Sequence, residues 1–162
     1  MNFSNPLPAV RENHPQKFLL SLAVVIFSFL LWLRLGSALG WQPDVMLATL
    51  IALAFFLNLW ALLFFVALSA FLLNWQPMPG LELILFAALL FFIFFFLNII
   101  FPLEGWLSTI VYIMLSVGVL YFVPHVALAL ENYVTVLQDA GASAVMGLIV
   151  FSVFSYCYQE NI

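Results

Sequence analysis

The chain has 162 residues, 67% of them hydrophobic and 6% charged, with three Lys or Arg against seven Asp or Glu and a formal net charge of −4. So little polar surface cannot cover a water-facing globule, which makes lipid the expected solvent. Arg11, Lys17 and Arg34 are its only cationic side chains apart from histidine, and its acids are scattered, so a basic nucleic-acid-binding surface is excluded. The lone Cys157 excludes an internal disulfide and reads as a small apolar residue near the end of a span.

Residues 1–17 are polar and carry Pro6, Pro8 and Pro15. They read as an arm outside the bilayer, and residues 18–162 as one transmembrane helical domain. The first span covers 18–39, and Arg11 and Lys17 place the arm in the cytoplasm under the positive-inside rule. Gly36-Ser37-Ala38 offers small residues to a signal peptidase. The long arm and the interfacial anchors Trp32, Arg34 and Trp41 favour an uncleaved span instead.

After Gly40-Trp41-Gln42-Pro43, an apolar run extends over 44–74. As one helix it would be about 46 Å long against a hydrocarbon core of roughly 30 Å. Two short helices, 44–57 and 59–74, reversing near Asn58, accommodate the length better. That gives six spans, or five if the run stays whole. The segment 75–80 holds two prolines and a glycine and stops any helix. Residues 81–101 form a span that is apolar on every face and so belongs at the bundle edge. Another span covers 106–123, ended by Pro124. Residues 125–140 include Glu131, Asn132, Gln138 and Asp139 and read as an interfacial helix or an extension of that span. After Gly141 the last span covers 142–158. The fold class is an all-α, polytopic transmembrane helical bundle.

Six polar residues are candidates for partner contact or helix packing: Arg34, Asp44, Asn58, Asn74, Glu82 and Glu104. Asp44, Glu82 and Glu104 each come shortly after Pro or Gly at an expected helix start, where free N–H groups and the macrodipole favour an anion. Arg34 can snorkel to headgroups or pair with Asp44. Asn58, Asn74 and Asn98 are suited to hydrogen bonds across helices. The pairs Gly36/Gly40, Ala48/Ala52 and Ser143/Gly147 have the small-residue spacing that lets helices approach closely. His125 lacks a partner at metal-ligand spacing, and no H-E-x-x-H or positioned nucleophile and base occurs. The expectation is therefore a protein without catalytic residues, metal or cofactor.

Trp41-Gln42-Pro43-Asp44 is similar to the Pro-Asp opening of the second span in the rod-shape-determining membrane protein MreD family. Two short apolar runs in succession, a Pro/Gly break near 74–80 and a small-residue-rich final helix after Gly141 extend the resemblance over most of the chain. Ser69 and Asn74 stand where that family commonly shows Gly and Asp, and its basic tail is missing. The resemblance implies a six-helix fold similar to the substrate-binding subunits of energy-coupling-factor vitamin transporters. It also implies a non-enzymatic subunit of the bacterial inner membrane that binds the bitopic protein MreC and couples it to the actin-like MreB. A competing reading is a transport subunit holding a small vitamin-type solute near Trp75, Trp106, Tyr112 and Tyr121, residues that an aromatic belt explains equally well. A small accessory or holin-like membrane protein is a third.

Overall fold

Pro15 opens the first helix because its missing N–H is one of those a helix start leaves unpaired and its φ is already helical. In the computed structural model, which describes residues 15–39, 44–73, 88, 105–123 and 126–159, every element is an α-helix. They are α1 (Pro15–Leu39), α2 (Val45–Ala54), α3 (Leu59–Leu73), α4 (Gly105–Phe122), α5 (Val126–Glu131) and α6 (Tyr133–Gln159). Helix α1 thus starts three residues inside the expected arm. Most of the arm, residues 81–101 apart from 88, Asn74, Asn98, Glu82, Glu104 and His125 lie outside the described residues.

Helix α2 is apolar around its whole circumference apart from Thr49, and all ten of its residues are buried. A helix without a polar stripe must be covered on every side. Here α1, α3, α4 and α6 all contact it. Thr49 is accommodated because its hydroxyl shares a 2.8 Å hydrogen bond with that of Ser28 on α1. A bond of this kind between spans contributes about 0.6 kcal/mol, rarely above about 2. Ser28 belongs to a buried stripe with Ser21 and Val25, and Ser21 donates to the Lys17 carbonyl one turn back, at 2.9 Å.

Two helices occupy the long apolar run, divided where the length argument places the division. The last turn of α2 tightens: the Phe55 and Phe56 amides donate three residues back, to the Ala52 and Leu53 carbonyls. Asn58 then starts α3, its Oδ1 accepting the Ala61 amide at 2.9 Å. The expected cross-helix role for Asn58 is therefore corrected to an N-cap, the position where a short amide side chain satisfies an unpaired helical N–H. Phe64 and Phe65 pack on Phe18, with ring centroids 5.3 and 5.1 Å apart. Phe18 lies about 15 Å along α1 from Ser28. The first two turns of α3 thus stay at the Phe18 end and do not retrace α2.

Helices α4 and α6 form the most extensive pair. They run antiparallel, with Tyr121 meeting Asp139 and Ile113 lying beside Gly147. Helix α6 is parallel to α2. Gly147 lies against Ala48, and farther along Phe151 packs on Phe55 and Phe56 at 5.7 and 5.2 Å, while Phe154 packs on Phe56 at 5.7 Å. Gly141 does not divide this region as expected. Helix α6 begins at Tyr133 and passes through it, because a helix accepts an isolated glycine at a cost of about 1 kcal/mol while burial of Val136, Asp139 and Ala140 holds the turns before it against the bundle.

Two helices, Pro15–Leu35 and Tyr133–Cys157, are long and apolar enough to cross a membrane, and only 17% and 33% of their apolar windows is buried within the protein. The helices around α2 instead turn large apolar side chains outward, among them Phe27, Trp60, Phe71 and Ile149.

A Cβ at Gly147 would run into Ile113 Cδ1 and sit 3.4 Å from the Ala48 carbonyl. Gly147→Ala is expected to cost about 1–3 kcal/mol through overpacking. Adding Ile113→Val, which removes that δ-methyl, should recover much of the loss. Thermal unfolding of the purified protein in detergent reads both variants. In the same assay Asn58→Ala should cost about 1 kcal/mol, the usual effect of losing an N-cap.

Candidate functional site

The helix registers bring one group of polar side chains to a common end of the bundle. Ala48 faces Gly147 across the parallel α2–α6 contact, so Asp44 and Ser143, each one turn earlier, share a level. Asp139 lies one further turn toward the start of α6. Tyr121, near the end of the antiparallel α4, reaches the same end and donates its hydroxyl to Asp139 Oδ2. Asp44 is within electrostatic range of both Asp139 and Tyr121.

Burial makes this cluster unusual. Asp139 is 1% exposed and Ser143 is fully buried. Among the described residues, Asp139 Oδ1 and Ser143 Oγ have no hydrogen-bond partner. A buried polar atom without a partner costs about 1–3 kcal/mol, and more when the group is charged. Asp139 lies about 27 Å from Cys157 along α6, close to one hydrocarbon thickness, so the cluster sits at one boundary of that helix's apolar length.

Asp44 does not cap α2 with its side chain, which corrects the expectation that its carboxylate serves the helix start. Its backbone carbonyl does begin the helix, accepting the Ala48 amide at 3.0 Å. The carboxyl is thereby left to the cluster. Arg34 has an exposed side chain.

Tyr121, Asp139 and Ser143 were not recognised as a group from sequence. Tyr121 reads as one member of an aromatic belt, and Asp139 as part of an interfacial segment ended by Gly141. The available signal was the spacing Asp139, Ser143, Gly147, one turn apart each, which forms a single stripe if the helix passes through Gly141. The donors are all oxygen: two carboxyls and two hydroxyls. Such a set suits a hard cation or a hydrogen-bond donor rather than a soft metal. No group of three His, Cys, Asp or Glu able to hold a metal occurs among the described residues.

No family model, curated protein or solved structure matches this chain.

Tyr121→Phe removes the hydrogen bond from the Tyr121 hydroxyl to the Asp139 carboxyl and should lower stability by about 1–3 kcal/mol. In an Asp139→Asn background the same substitution should cost less than half as much. A double-mutant cycle from thermal unfolding measures this coupling.

Proposed function

We propose that this chain is a non-enzymatic integral subunit of a bacterial inner membrane, of the MreD-like class, with its N-terminus in the cytoplasm. It contributes to a cell-shape or wall-elongation complex by binding an MreC-like bitopic protein. The observation that carries membrane residence is the pair of long apolar helices whose surface is mostly not covered by the protein itself. Trp60, 79% exposed, and Phe71, 67% exposed, extend that outward apolar surface onto α3. In water such a surface would drive aggregation; in a bilayer it is the solvated face.

Helix direction supports six crossings over five. Helix α4 runs against both α2 and α6. An even number of crossings between α2 and α4 fits those opposed directions, and the six-span reading counts two there where the five-span reading counts one. The class assignment rests on the resemblance carried by Trp41-Gln42-Pro43-Asp44 and the order of breaks that follows it.

The acidic and hydroxyl cluster favours a second reading, a solute-binding subunit of a vitamin-type transporter, because buried oxygen donors at one end of a bundle can orient a small polar ligand.

Single cysteines at positions 44 and 74 in a Cys157→Ala background should label from the same side of intact membranes. Co-expression with the MreC-like protein of the same genome should yield a detergent-stable complex. Glu82→Gln and Glu104→Gln should leave the protein folded and at most weaken that complex. Correct topology with no complex formed would favour the transport reading.

A further inference from the structure

The cluster at the start of α2 concentrates anionic and acceptor groups where the bundle is dry. Asp139 is buried with Oδ1 unpartnered, while Oδ2 takes the Tyr121 hydroxyl. The charged group within range on α2 is a second acid, Asp44, which the helix start does not use. Independently of that pair, Ser143 is fully buried with its hydroxyl unpartnered. Its position is fixed by the Gly147–Ala48 contact one turn away, which sets Ser143 across from Asp44. Side chains on a helix lean toward its N-terminus, so the Ser143 hydroxyl leans toward the turn that carries Asp139.

We propose that Asp44, Asp139 Oδ1 and Ser143 Oγ bind one small monovalent cation of the Na⁺ class, with Tyr121 holding the Asp139 carboxyl in position. A buried acid with a second acid within electrostatic range is costly, and an intervening cation relieves both their repulsion and the missing bonds. Oxygen-only donors select a hard ion. A divalent ion is the poorer fit. Ca²⁺ requires about six to eight oxygens and Mg²⁺ retains several waters, whereas Asp139 and Ser143 are closed to solvent. The inference stands on the helix registers and is independent of any partner protein.

The test uses the purified full chain in detergent, exchanged into choline chloride. Thermal unfolding is followed as NaCl replaces choline at constant ionic strength, and separately with MgCl₂ and across pH. The expected result is a saturable rise in melting temperature with Na⁺, of about 5 °C at saturation. Asp44→Asn and Asp139→Asn should abolish that rise, and Ser143→Ala should shift its midpoint at least threefold to higher Na⁺. Radioactive sodium should bind with a stoichiometry of one. If Asp139→Asn fails to fold, Asp44→Asn and Ser143→Ala carry the test. No rise above choline, a rise unchanged in those two variants, or a response only to Mg²⁺ or only to pH would overturn the proposal. In the last case the acids hold a proton rather than a metal ion.

Discussion

The close approach of α6 to α2 at Gly147 and Ala48 is the constraint on which the remaining structure depends. Helix α2 has no face suited to solvent, so its neighbours must cover it completely. In lipid there is little hydrophobic force between helices, and contact is favoured only where surfaces fit closely enough to gain dispersion energy. Glycine at 147 lets the two backbones meet and leaves room for the Ile113 side chain of α4. The registers of α2, α4 and α6 follow from that one contact.

The two ends of the bundle then differ in chemistry. Toward the start of α2, the register aligns Asp44 with Ser143 and brings Tyr121 to Asp139. Toward its end, Phe55 and Phe56 meet Tyr112, Phe151 and Phe154, and Phe18 meets Phe64 and Phe65. The aromatic end gains stability from contact area and tilted ring packing. The polar end contains unpartnered buried oxygens, so it loses stability locally. Structures maintain such a deficit where the surrounding packing is strong enough to hold it, as the aromatic end is here.

Much of the helix plan was legible in the sequence because it depends on local chemistry. The run after Asp44 is too long for one span, and Pro124 follows the end of α4. The small-residue pairs Ala48/Ala52 and Ser143/Gly147 mark the packed faces of α2 and α6 for the same reason: size is visible residue by residue. The polar site was harder to read. Gly141 has the composition of a break, yet a helix tolerates it when the turns on both sides carry buried residues, here Asp139 and Ala140 before it and Ser143 and Ala144 after it. Asp44 has the composition of a cap, yet its carboxyl faces other helices. Tyr121 and Asp139 are 18 residues apart, and only the antiparallel register of α4 and α6 makes them neighbours.

The sequence by itself determined that this chain is helical and apolar, and that the long run after Asp44 divides near Asn58, because these follow from propensity and length. It did not determine which helix lies at the centre. Helices α2 and α3 are both apolar on every face, yet α2 is wholly buried while α3 exposes Trp60, Phe64 and Phe71. Composition cannot separate them, since lipid and apolar protein are nearly equivalent surroundings for a leucine or phenylalanine side chain. Tertiary packing decided it: the small faces of α2, with Ala48 and the Ser28–Thr49 bond, admit neighbours on every side, whereas the aromatic bulk of α3 allows only one face to pack.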